Sequence, residues 1–276
     1  MKVYISVDLE GISGVTSSEQ VLQKEGARLE VRHWVVNEIN AAAGAAFDAG
    51  AEEVWVNEHH SGKDLLLDLL DPRLVILEGK PKPLMTLHGL DATFSAVFLI
   101  GIHAKAGTPQ AILDHTWNAR IIQAVRVNGH PVGEIGLNAL FASHYGVPIA
   151  LVSGDQAAVE EAKRLLGPVE GAIVKFGLDR YSARLIHPVR AAEILRQAAC
   201  RAMSSLAQFR PFSLGLPASL EIDLTNTAMA ERVCMVPTCA RLGPITVSFP
   251  CESYLQLMNN LMVATALAKT VLDPVY

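Results

Sequence analysis

Val3-Tyr4-Ile5-Ser6-Val7-Asp8-Leu9-Glu10-Gly11 is the stretch on which the fold turns. Its β-branched and aromatic start predicts a buried strand, and that strand ends in two carboxylates spaced i, i+2 ahead of a glycine. On an extended chain this spacing puts Asp8 and Glu10 on one face, where two like charges are costly unless a cation lies between them. In an open α/β sheet, ligands bind beyond the carboxyl ends of the strands. The opening therefore predicts a metal-holding strand end, with the remaining ligands supplied by other strand ends.

The same kind of ending recurs. Glu53-Val54-Trp55-Val56-Asn57 predicts a strand that runs into Glu58-His59-His60-Ser61-Gly62, and Ala96-Val97-Phe98-Leu99-Ile100-Gly101 predicts another that ends at Ile102-His103. Gly133-Glu134-Ile135-Gly136 opens a helix through His144, with Glu134 near its first turn. Around these lie a polar loop after Gly14, a helix over 29–50, a short helix over 65–70, a strand over 74–77 and a rigid polar loop over 79–83. A loop over 104–118 leads to a hairpin turning at Asn128-Gly129. Strands over 147–152 and 172–176 flank a helix over 156–166. This alternation predicts an α/β fold, with a Rossmann-like, mainly parallel sheet and helices on both faces. From residue 188 the pattern changes, with helices near 189–208 and 252–271 bracketing strands near 218–224 and 244–249. We expect residues 1–187 to form the metal-binding α/β domain and residues 188–276 a smaller C-terminal α+β lobe.

Composition narrows the function. Half of the 276 residues are apolar and 18% are charged, which suits a packed enzyme core rather than disorder. A net charge of −5 with no basic block gives no electrostatic footprint for nucleic acid. No apolar run approaches the roughly 20 residues that span a bilayer, and the opening is too short and too polar for a signal peptide. Cys200, Cys234, Cys239 and Cys251 form no C-x-x-C pair, so reduced cysteines in a soluble, cytoplasmic protein are expected.

The candidate ligands are Asp8, Glu10, His60, His103 and Glu134. Because adjacent residues of a strand face opposite ways, only one of His59 and His60 is expected to point at the site. Three carboxylates and two imidazoles are too many for one tetrahedral zinc but suit two divalent ions sharing a carboxylate. Two such ions about 3.5–4 Å apart hold a hydroxide and polarise a carbonyl, so metal-assisted hydrolysis is the predicted chemistry. His115, beside Asp114, is a candidate acid or base, although the residues alone favour a surface-loop dipeptide. Asp155, Lys175 and Arg180 could contact substrate or support the ligands, but the residues alone favour ordinary turn and surface charges. Two rivals stay open: a dinuclear metal phosphoesterase and a non-enzymatic peptide-binding protein. The first would usually need Arg, Lys or a glycine-rich amide nest for phosphate.

The chain resembles the DppA family of zinc D-aminopeptidases. The likeness rests on Ser6-Val7-Asp8-Leu9-Glu10-Gly11-Ile12-Ser13-Gly14, Val56-Asn57 with His60-Ser61, and Gly101-Ile102-His103-Ala104. It continues through Thr108-Pro109 with His115 and Pro131-Val132-Gly133-Glu134-Ile135-Gly136-Leu137-Asn138, and thins in the last third. The resemblance implies two Zn2+ per subunit, with Asp8 bridging, Glu10 and His60 completing one ion, and His103 and Glu134 completing the other. His115 falls on the family's catalytic histidine, which reverses the reading of that residue given above. The resemblance also implies short D-amino-acid-containing peptides of the D-alanyl type as substrates, and a ring-shaped homo-oligomer, a decamer. Two departures stand out: Glu58-His59 replaces a more usual Asp and small residue, and Gln156 follows Gly154-Asp155 where the family more often has a second Asp. Neither change touches one of the five expected ligands.

Overall fold

The computed structural model describes residues 1–22, 27–60 and 62–272. Ser61, part of the second motif, lies outside the described residues. The elements run β1 Lys2–Val7, α1 Ser18–Leu22, α2 Ala27–Asp48, β2 Glu53–Glu58, β3 Val75–Leu77, β4 Ala96–Ile102, β5 Ile122–Val127, β6 His130–Val132, α3 Glu134–His144 and β7 Ile149–Asp155. They continue with α4 Gln156–Leu166, β8 Glu170–Gly177, β9 Ala183–Leu185, α5 Pro188–Ser204, β10 Ala218–Leu224, α6 Thr227–Val233, β11 Ala240–Arg241, β12 Thr246–Cys251 and α7 Tyr254–Lys269.

Among the described residues a seven-stranded sheet runs β3-β2-β1-β4-β7-β8-β9. Its strands are parallel except for β9, which pairs antiparallel with β8 at the edge. β1 lies inside the sheet between β2 and β4 and is buried on both faces, which is why it reads as a continuous apolar run rather than an alternating one. On one face Val3, Ile5 and Val7 pack with Val31, Val35, Ile39, Ala42 and Ala46 of α2 and with Leu195, Ala198 and Ala202 of α5. Those α2 residues recur at helical spacing, and α5 begins with Pro188 in its first turn, where a missing N–H costs nothing. The other face packs against α3 and α4, giving the α/β layering expected from the sequence.

The second sheet runs β11-β12-β10-β5-β6 and is antiparallel throughout. β10 alternates Leu220, Ile222 and Leu224 inward with Glu221 and Asp223 outward, so one face joins α6 and α7 in the core. Sheet membership crosses the 187/188 division. The β5-β6 hairpin pairs with β10 of the C-terminal stretch, while α5 packs on α2 over the first sheet. Three details differ from the sequence reading. The short helix expected over 65–70 is a single 3₁₀ turn at Leu67–Leu69, the polar stretch after Gly14 includes the short α1, and β9, α6 and β11 had no clear periodic signal because they are short.

Candidate metal centre

The centre forms where β1, β2 and β4 stop. The Asp8 N–H still donates to Ile100 O at 2.9 Å, and the chain then turns so that Gly11 N donates to Gly101 O at 2.7 Å. The two backbones touch here, since a Cβ on Gly11 would sit 2.1 Å from Ile102 O and one on Gly101 2.4 Å from Asp8 O. Gly101 also has φ of 69°, a conformation that side chains disfavour, and the register with β7 shifts over the same residues. This kink sets His103 against Asp8, with Nε2 3.5 Å from Asp8 Oδ2 and 3.2 Å from Glu134 Oε1.

Glu134 opens α3, where the helix dipole favours a carboxylate, and its Oε1 accepts the Trp117 N–H at 2.8 Å. His60 Nε2 lies 3.1 Å from Glu10 Oε1, with its Nδ1 3.8 Å from Asp64 Oδ2. The His115 ring stacks on His103 with centroids 3.9 Å apart, and its Nε2 is 3.9 Å from Glu134 Oε1. The His115 side chain is 18% exposed against 1% for His103, so His115 is the member that faces the opening.

His59 also reaches the cluster, with Nε2 3.5 Å from Asp8 Oδ2. The expectation that only one of the two adjacent histidines would do so does not hold. His59 makes a last backbone bond to Val7 O and the chain bends at His60, so strand alternation ends between them. The signal available in the sequence was that both residues lie past the strand's apolar run.

Burial opposes charge at each of these groups, and opposite charges outweigh it. His103, beside Glu134, Asp8 and Glu10, is held up at about 10, and Glu134, beside His103 and His115, is held down at about 2. Glu10 sits well below the ordinary carboxylate range next to His60, and His60 well above its own next to Glu10 and Asp64. Even so, Glu10 Oε2, His59 Nε2, His60 Nδ1 and His103 Nε2 are buried with no hydrogen-bond partner. Donor atoms of Asp8, Glu10 and His103, of Asp8, His59 and Glu134, and of His103, His115 and Glu134 each lie within 4.8 Å of one another. Glu58, His60 and Asp64 form a neighbouring group of the same kind. Unpartnered oxygen and nitrogen atoms of this mixed set, with the imidazoles giving up their protons to a cation, fit divalent transition metals.

Three residues that read as ordinary charges in the sequence hold this centre in place. Lys175 is fully buried, and its ammonium donates to Glu10 O at 2.6 Å, Ile12 O at 2.8 Å and Val15 O at 2.7 Å, fixing the turn that carries Glu10. Burial brings it down to about 8. Its signal was a lone charge inside the run Ile173-Val174-Lys175-Phe176. Asp155 caps α4 through Ala158 N and accepts from Ile112 N at 2.6 Å, while Asp114 binds Gly107 N at 2.6 Å and Arg180 Nη1 at 2.7 Å. These bonds pin the loop that carries His115, in which Gln110, Leu113 and Trp117 hold positive φ without being glycine. Such conformations cost about 1–3 kcal/mol each and persist where the surroundings over-determine them.

The fold and this cluster together define an α/β enzyme with candidate metal-binding groups of acids and imidazoles at its strand ends. The family model for D-aminopeptidase matches residues 1–263, and the chain belongs to that family of peptidases. It is 33% identical to a D-aminopeptidase of Bacillus subtilis (strain 168) over 273 residues, covering 97% of this chain and 98% of the relative. Among solved structures it is similar to the Zn-dependent D-aminopeptidase DppA from Bacillus subtilis, a self-compartmentalizing protease. The TM-score is 0.94 at 32% identity, with 98% of each chain covered. Among the described residues no helix is long and apolar enough to cross a membrane.

Proposed function

We propose that the protein is a dinuclear zinc aminopeptidase that releases N-terminal D-amino acids, of the D-alanyl type, from short peptides and amides. The observation that carries this reading is the set of buried, unpartnered donor atoms at the ends of β1, β2 and β4, in a chain related along its length to a Zn-dependent D-aminopeptidase. In this reading Asp8 would serve both ions, with Glu10 and His60 holding one and His103 and Glu134 the other. When bound, the zinc pair supplies a Lewis acid for the scissile carbonyl and an activated water at neutral pH.

The chain's own residues orient the reaction. His103 donates from Nδ1 to Ala104 O at 3.0 Å, which leaves Nε2 to face Asp8 and Glu134. His115 is held in the same way through Leu113 O at 2.8 Å, which leaves its Nε2 3.9 Å from Glu134 Oε1 on the more exposed side of the cluster. From there it holds a proton for the carbonyl oxygen as that oxygen gains charge, or passes it to the leaving amine. The likeness to a self-compartmentalizing protease supports a homo-oligomer; the assembly proposed is a ring-shaped decamer, whose size sedimentation measures. A cytoplasmic location agrees with four unbonded cysteines.

Elemental analysis after chelator-free purification should give two zinc ions per subunit, and D-Ala-D-Ala should be cleaved well ahead of L-Ala-L-Ala. His115→Ala should retain both ions and lower kcat by about 10²–10⁴-fold. Protein without metal that still binds peptide would overturn the reading, as would faster turnover of p-nitrophenyl phosphate than of D-alanine p-nitroanilide.

A further inference from the structure

We infer that His59 is an additional metal ligand, its Nε2 joining the ion held by Asp8 and Glu134; this rests on the dinuclear reading above. The ring is only 5% exposed, its Nε2 has no hydrogen-bond partner, and it shares a group of close donor atoms with Asp8 and Glu134. A buried polar atom left in this way is unfavourable unless something outside the chain completes it.

The ring's other nitrogen fixes which form the imidazole takes. His59 Nδ1 lies 3.0 Å from Ser6 Oγ, and Ser6 Oγ is 2.6 Å from Thr86 O. A carbonyl only accepts, so the single hydroxyl proton of Ser6 goes to Thr86 O, and Ser6 Oγ must accept from Nδ1–H. In the neutral ring, the form that binds metal, Nε2 then carries the lone pair and points at Asp8 Oδ2, 3.5 Å away. Two lone pairs facing each other at that distance repel, and a cation between them turns the repulsion into coordination. His103 and His115 have the same build, with Nδ1 anchored on Ala104 O and Leu113 O and Nε2 turned to the acids. An anchored second nitrogen is the usual outer support of a metal-binding histidine.

The support also closes on the site itself. Thr86 O accepts from Asn57 Nδ2 at 2.8 Å, and Thr86 Oγ1 bonds Asn138 Oδ1. Asn138 lies one turn along α3 from Glu134, so the helix that delivers Glu134 also braces the relay that aims His59. An added imidazole raises the nitrogen share at this ion and shifts its preference toward zinc or cobalt and away from manganese.

His59→Asn tests this, because the amide retains a donor for Ser6 while removing Nε2, and Ser6→Ala removes the anchor alone. Zinc affinity is read by competition with a chromophoric chelator, and the donor set by the visible spectrum of the Co2+-loaded protein. In His59→Asn one of two zinc ions should be held at least about 10–100-fold more weakly and the Co2+ spectrum should change, with a smaller loss in Ser6→Ala. Chelator-treated variant and wild type should melt alike, which separates ligation from folding. Unchanged affinities and an unchanged Co2+ spectrum would overturn the inference alone, whereas wild-type protein that binds no zinc would overturn the dinuclear reading and this inference with it. If His59→Asn does not fold, Ser6→Ala decides: full-strength binding of both ions in that variant overturns the role.

Discussion

Among the described residues, two of the clusters in which acids meet bases across strands are completed differently. On the second sheet, Arg126 of β5 donates to Glu221 Oε2 at 3.0 Å and to both oxygens of Asp223 at 2.8 Å, and Thr246 Oγ1 adds a bond to Asp223 Oδ1 at 2.7 Å. The arginine is there to neutralise the acids, and water reaches the whole group. At the end of the first sheet the acids face imidazoles rather than arginines, at lengths of 3.1–3.9 Å, and several buried atoms have no partner. The difference teaches that a charge cluster is a structural device when the chain completes it, and a candidate ligand site when burial and incompleteness coincide.

The contrast can be broken most severely at Asp8, the acid common to both expected ions. Asp8→Asn should lower zinc affinity by more than the roughly 10–100-fold typical of an outer-shell loss, and activity should fall with metal content. Full metal loading in that variant would end the role given to Asp8. Next in size is Lys175→Met, which leaves three buried carbonyls without their donor at about 1–3 kcal/mol each. Urea denaturation should show a loss of more than about 3 kcal/mol; a loss below about 1 kcal/mol would mean that the Glu10 turn stands without it.

A pH series sharpens the comparison further. In the absence of a cation, His103 is raised from 6.5 to about 10, so its stabilising effect is complete below pH 6.5 and disappears as pH climbs toward 10. Glu134 is lowered from 4.5 to about 2, so its effect is complete above pH 4.5 and disappears as pH falls toward 2. A metal needs the imidazole neutral and is therefore favoured as pH rises. The gap in Tm between zinc-loaded and stripped protein should widen from pH 6.5 toward 10; a gap that is flat or narrows would contradict this. The smallest effect belongs to the completed cluster. Arg126→Ala should cost no more than about 1 kcal/mol by urea denaturation and leave zinc content unchanged.

Much of the first sheet was legible because it depends on local pattern. A buried central strand needs an uninterrupted apolar run, and β1, β2 and β4 supply one each and then stop at acids or histidines. Asp8, Glu10, His60 and His103 could be singled out for that reason, and Glu134 for its place in the first turn of a helix. His59 was set aside because alternation was carried one residue past the point where the strand bends. Lys175 was read as an ordinary surface charge, since nothing in its neighbours shows that three carbonyls from residues 10–15 converge on its ammonium. The hairpin turning at Asn128-Gly129 was visible, but not its pairing with β10 nearly a hundred residues later.

By itself the sequence determined the elements, their α/β alternation and the placing of acids and imidazoles at strand ends, because periodicity and turn chemistry act over a few residues. Only the tertiary structure decided which donors converge, which charge lies fully buried, and which strands complete the second sheet. Those outcomes depend on register between distant segments and on close backbone contacts such as that of Gly11 with Gly101, which no local pattern encodes.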